Sequence, residues 1–108
     1  MVQRVTIAEN ADGTLALGGE LDAYAAGTVE TALGALSSTA DAAVDVSAVT
    51  FVDSAVLRVL VRQSERLAAR GSRLRLVKPS PALQRLIQLS GLESAFVLEI
   101  GEPGGGDG

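Results

Sequence analysis

The chain has 108 residues, 47% of them hydrophobic, a formal net charge of −4, and neither cysteine nor histidine. Such a length folds as one domain around one core, and the missing thiols and imidazoles exclude a disulfide framework, a zinc site of ordinary type and catalysis through histidine. Aromatic residues are only 3%, so the core must be built from Leu, Val, Ile and Ala, and stacking on nucleic-acid bases has little to draw on.

The opening residues lack a basic region followed by a long apolar run. No segment approaches the roughly 20 apolar residues that span a bilayer. A cytoplasmic chain without membrane insertion is therefore expected, and the negative net charge disfavours direct nucleic-acid binding. The charge is divided: residues 1–53 carry eight acids against Arg4 alone, whereas residues 54–100 carry eight bases against three acids. Interleaving of the two halves in the folded state explains this more simply than a functional dipole does.

Val5 and Ile7 alternate with polar neighbours, Asp12 and Gly13 supply a turn, and Leu15 and Leu17 alternate again before Gly18 and Gly19. This predicts an opening β-hairpin. After Asp22, a helix-starting residue, Val29, Ala32, Leu33 and Leu36 recur at helical spacing and predict a first helix with one buried stripe. Residues 37–41 read as a polar connection. The Val-rich run at 42–46 suits a short central strand, with Asp45 expected near an edge or a loop.

The run FVDSAVLRVLV at 51–61 passes from a buried strand end through Asp53 and Ser54 straight into an amphipathic helix. Val56, Leu57, Leu60, Val61, Leu67 and Ala68 are expected inward, with Arg58, Arg62, Glu65, Arg66 and Ala69 opposite and Gly71 as the C-terminal cap. By position alone Ser54 reads as an N-cap hydroxyl, and Asp53 and Asp22 as a helix-start charge and a second cap. Leu74 and Leu76 alternate with arginines as a strand does. Ser80 and Pro81 open a third helix carrying Leu83, Leu86 and Ile87 and ending before Gly91. Residues 96–100 predict a last short strand, and residues 101–108, a Gly-rich tail, are too poor in apolar surface to be expected to order.

The expected order is β-hairpin, α, β, α, β, α, β, an α/β domain with a mixed sheet of four to five strands covered by helices. The segments GELDAY at 19–24, VDVSAVTFVDSAVLRVLV at 44–61 and RLRLVKPSPALQRLIQLSGLESAF at 73–96 resemble the STAS domain, in particular bacterial anti-sigma factor antagonists. The similarity runs in order over residues 2–100. It implies a protein that binds an anti-sigma factor serine kinase when unphosphorylated and thereby releases a sigma factor. Phosphorylation by that kinase switches the antagonist off, and a phosphatase restores it. The matching acceptor is Ser54, and the implied partner surface comprises Asp22, Asp53, Ser54, Ala55, Val56 and Arg58. No cofactor and no metal are implied. One departure stands out: antagonists usually carry Gly where this chain has Val56, a stiffer and larger residue in the first helical turn.

Other classes fit less well. A hydrolase built on Ser54 would lack a histidine base, and no Gly-rich nucleotide loop is present, so no enzyme is expected. A phosphoacceptor receiver domain would match Asp53 and Lys78, but only 25 residues separate them, too few for two intervening βα units. The serious rival keeps the STAS fold without the phosphorylation: a docking subunit of a lipid-trafficking ABC transporter, or a piece of a stress-signalling scaffold.

Overall fold

The computed structural model describes residues 5–11, 13–36 and 41–100. Two strands open the chain, β1 (Val5–Glu9) and β2 (Leu15–Leu21), followed by α1 (Ala26–Gly34), β3 (Ala42–Val52), α2 (Ser54–Ala68), β4 (Leu74–Val77), α3 (Pro81–Ser90) and β5 (Val97–Glu99). Single 3₁₀ turns precede α1 and β5, at Ala23–Ala25 and Glu93–Ala95. The predicted order of elements is the observed one. Asp12, most of the polar connection at 37–41 and the tail lie outside the described residues.

The five strands lie in the order β1-β2-β3-β4-β5, antiparallel between β1 and β2 and parallel thereafter. Each parallel step moves one place in the same direction and carries one helix. With right-handed crossovers this winds the helices onto one face of the sheet. Burial follows the pleat: Ala42, Val44 and Val46 of β3 and Leu74 and Leu76 of β4 are buried, while Ala43, Asp45, Arg75 and Val77 between them are half-buried on the other face. One continuous core joins these residues to Val29 and Leu33 of α1, Val56, Leu57, Val59, Leu60 and Leu67 of α2, and Leu83 and Ile87 of α3. Phe96 is the one aromatic in it, as the low ring content requires.

Helix ends are punctuated as their chemistry dictates. Ser80 accepts a hydrogen bond from the Leu83 N–H with Pro81 at the first helical position, and Gly91 closes α3 in the left-handed region at φ 70°. Gly71, expected as the α2 cap, has φ 78° and follows the last turn.

Four expectations need correction. First, β2 does not stop at the glycine pair: it runs on to Leu21, with register irregularities between Ala16 and Gly18 and between Gly19 and Glu20. A Cβ on Gly18 would stand 2.7 Å from Thr6 Oγ1 and 2.9 Å from the Ala48 Cβ, so that glycine marks a close approach of three strands and not a turn. Second, β3 is one strand of 11 residues in place of a short run.

Third, Asp45 sits neither at an edge nor in a loop. It lies inside the central strand, opposite Ala16 on one side and Val77 on the other. Its position on the half-buried face leaves the carboxylate able to accept from the Ser47 N–H at 2.9 Å and from the Ser47 hydroxyl at 2.7 Å. Fourth, Ala68 of α2 is exposed, while Val59 and Gln63 are buried. The inward stripe runs through 56, 60, 63 and 67, and residue 68 falls a hundred degrees past it. Gln63 is accommodated there because its Oε1 accepts from Arg66 at 3.3 Å.

Candidate functional site

Two parallel strands end side by side. Leu21 is in register with Val52, and the Asp53 N–H donates to the Leu21 carbonyl at 2.9 Å, so the ladder between β2 and β3 continues one residue past β3. Both strands are then followed by an aspartate with extended backbone, Asp22 (φ −84°, ψ −177°) and Asp53 (φ −90°, ψ 154°). Each carboxylate turns back onto the helical turn that follows: Asp22 Oδ1 accepts from the Ala25 N–H at 3.2 Å and Asp53 Oδ1 from the Ala55 N–H at 2.7 Å. Two acidic caps therefore stand at neighbouring strand ends, at the carboxyl edge of the sheet where open α/β folds commonly bind their ligands.

The cap of α2 corrects the positional reading of Ser54. Asp53 is the N-cap residue, and Ser54 is the first residue of the helix. Asp53 prevails because its extended backbone and short carboxylate meet the N–H two residues on, a geometry closed to a residue already in the helical region. The Ala55 N–H bonds the Asp53 side chain, and the Val56 and Leu57 N–H groups bond the Asp53 carbonyl at 3.0 and 3.2 Å. Ser54 is exposed, and among the described residues its hydroxyl has no hydrogen-bond partner. The result is a hydroxyl with no capping duty at the positive end of a 15-residue helix.

The other expected site residues divide. Ala55 is half-buried beside Ser54. Val56 is 0% exposed and belongs to the core, so it offers a partner no surface. Its side chain fills space beneath the helix instead of space in front of it. Arg58 is exposed one turn on and makes no ion pair among the described residues. Farther along the same exposed side, Arg62 pairs with Glu30 of α1 at 3.3 Å.

Two aromatic side chains near this edge were not singled out from the sequence. Tyr24, in the 3₁₀ turn that Asp22 caps, is 94% exposed and borders an open cleft with Val5, Asp22, Ala25 and Thr28. Phe51 was expected in a buried strand end, yet it is 49% exposed, because Val52 takes the core-facing position of the pleat. A signal was available: these are two of only three aromatics in the chain, both within three residues of an aspartate cap.

A hollow of about 60 Å³ between α1, α2 and the starts of β3 and β4 has Arg66 and Arg70 among its lining residues, but it lies at the opposite end of the sheet from Ser54. Among the described residues no group of three or more His, Cys, Asp or Glu side chains stands together, and no helix is long and apolar enough to cross a membrane.

The fold has known counterparts. A proposed anti-sigma factor antagonist from Thermotoga maritima, TM1081, superposes with a TM-score of 0.70 at 19% identity, covering 90% of this chain and 86% of that one. Its solution structure gives 0.66 at 18% identity, with 93% and 83% covered. The anti-sigma factor antagonist SpoIIAA in its unphosphorylated form gives 0.58 at 22% identity, with 79% and 82% covered. At these identities the likeness is one of fold. A comparison with curated protein sequences finds no match. The model of one family, described as the Mlab STAS domain, matches residues 5–99, and with the whole sheet and all three helices inside that span the chain belongs to the STAS domain family.

Proposed function

We propose that the chain is an anti-sigma factor antagonist. Unphosphorylated, it binds an anti-sigma factor serine kinase in the cytoplasm and so releases a sigma factor. Transfer of the ATP γ-phosphoryl group to Ser54 Oγ, with ADP leaving and the hydroxyl proton lost, ends that binding, and a phosphatase restores it. The chain itself acts as a binding module and not as a catalyst. The observation that carries the reading is the exposed Ser54 hydroxyl, relieved of capping by Asp53 and flanked by Asp22 at the neighbouring strand end.

The physics of the switch is asymmetric. Phosphorylation adds about −1.5 to −2 charges at a helix N-terminus, where the dipole offsets part of the charge and the nearby acids Asp53 and Asp22 oppose it. Those terms are individually modest and act on an exposed group. Inside a docked interface the same dianion, desolvated without a partner, costs several kcal/mol, against the ~1.4 kcal/mol that changes affinity tenfold. Binding is lost and the fold persists.

A second reading keeps the surface and drops the phosphate: a STAS docking subunit of a lipid-trafficking ABC transporter, or a stress-signalling scaffold. The Mlab description of the matching family and the presence of Val56 where antagonists usually carry glycine favour retaining it. Incubation with ATP and the anti-sigma factor serine kinase of the same genome separates the two. The first reading expects one phosphate, mapped by mass spectrometry to Ser54 and absent from Ser54→Ala. An unmodified chain that still binds the kinase, or no binding at all, favours the second.

A further inference from the structure

The end of β3 and one side of α3 form a cleft of about 250 Å³ that the core does not fill. Its apolar walls are Phe51, 49% exposed, and Leu89, 75% exposed, with Ala82 and Leu86 half-buried at its base. A single exposed leucine needs no explanation. Here, however, Ala82, Leu86 and Leu89 follow one another at i, i+4 and i+7, so they form a stripe about 10 Å long on α3 at ~1.5 Å per residue. Arg85, between them in the same cleft, is exposed and makes no ion pair or hydrogen bond among the described residues.

The cleft adjoins the Ser54 surface. Phe51 precedes Ser54 by three residues, about 10 Å of strand. A partner burying ~800 Å² on this molecule covers a patch about 16 Å in radius. Any partner of ordinary size centred on Ser54 therefore reaches Phe51 and the mouth of the cleft.

We infer that the cleft between β3 and α3 receives an acidic amphipathic helix of the protein partner, with apolar side chains seated on Phe51, Leu86 and Leu89 and a carboxylate paired with Arg85. The inference deepens the proposed function, since it rests on a protein partner covering Ser54 for the identity of the occupant. A helix suits the cleft because its own i, i+4, i+7 stripe matches the spacing on α3. An acid suits it because, among the described residues, Arg85 is the one charged group lining the cleft and has no counter-ion.

The test titrates a 15-residue synthetic amphipathic peptide, leucines at helical spacing and glutamates on both flanks, into the ¹⁵N-labelled full chain. The inference expects chemical-shift changes confined to residues 50–52 and 82–89. Binding should weaken at least tenfold in Leu89→Asp, an exposed position that leaves folding intact by circular dichroism. Arg85→Glu should weaken the glutamate peptide and recover affinity for a lysine-flanked version. Equal binding of both peptides to the unaltered chain, changes elsewhere, no binding, or a dimer of the chain that Leu89→Asp disperses would each overturn it. The serine kinase forms the second arm. If it fails to bind while the peptide seats with the charge swap, the proposed function falls and the cleft stands. If the kinase binds and Leu89→Asp leaves its affinity unchanged, the cleft assignment falls and the proposed function stands.

Discussion

At Ser54 and Asp53 two adjacent side chains divide work that often falls to one residue. Asp53 carries the cap, through its 2.7 Å bond from the Ala55 N–H, and Ser54 carries none of it. Asp53→Ala should therefore cost about 1 kcal/mol of stability, within the 0.5–2 kcal/mol range of lost caps. Asp53→Asn should keep most of that, and Ser54→Ala should stay within about 0.5 kcal/mol of the unaltered chain. Urea denaturation measures all three. A Ser54→Ala loss equal to that of Asp53→Ala would return the cap to the serine. Val56 presents the opposite case, a side chain with no surface and a full packing role. Val56→Gly restores the residue usual in antagonists but leaves a cavity and a glycine in a helix, and should destabilise by about 2–4 kcal/mol. A stability change below 0.5 kcal/mol in the same assay would mean that the first turn of α2 is not packed as described.

The hairpin and the third helix were legible element by element because local chemistry settles them: alternation fixes β1, and Ser80, Pro81 and Gly91 bracket α3. The length of β2 was not, because the alternation breaks at Gly18 and Gly19, and only the close approach of Thr6 and Ala48 to Gly18 shows why a strand carries glycine there. Gly18→Val should accordingly cost about 1–3 kcal/mol through overpacking. Adding Thr6→Gly should recover part of that loss in thermal melts, whereas strictly additive losses would place the strain elsewhere. Asp45 was misplaced for a related reason: a carboxylate in a central strand is tolerable only when the opposite face of the sheet is open, which follows from the winding of the whole chain. Asp22 and Asp53 were legible as caps because each follows a strand and precedes a helical turn, whereas position alone misread Ser54 as a cap and only the resemblance marked it as a candidate acceptor. The candidate site was not legible in Tyr24 and Phe51, whose exposure depends on what the other strands and α3 leave uncovered.

On the open face of the sheet, Arg75 and Glu99 tie β4 to the edge strand β5 through two bonds of 2.6 and 2.9 Å. The guanidinium holds the Glu99 carboxyl below its ordinary range, chiefly by hydrogen bonding, and the carboxylate raises Arg75 in return. A carboxyl whose pKa is lower folded than unfolded contributes stability at pH values above its unfolded range. That contribution fades as pH falls through the folded value. Glu99→Gln should thus make stability less dependent on pH from about 4.5 downward, and change it little on further acidification. Both groups are more than a third exposed, so the effect should shrink in salt. An acid limb identical in the two proteins would show that the pair does not form in solution.

For the molecule as a whole, the proposed binding edge lies at one end of the sheet, where β2 and β3 finish side by side. Asp22, Ser54 and Tyr24 lie along that edge, with the α3 cleft beside it. The core residues beneath Ser54 are 0–3% exposed at Val56 and Leu57, which separates the fold from whatever happens at the surface hydroxyl. Isothermal titration of the serine kinase with the full chain, once unmodified and once phosphorylated on Ser54, alongside thermal melts of both, tests that separation most directly. Affinity should be at least 100-fold weaker for the phosphorylated chain, with a Tm within about 5 °C of the unmodified one, the span of ~1 kcal/mol in a domain of this size. Equal affinities, or a loss of binding accompanied by unfolding, would contradict that separation.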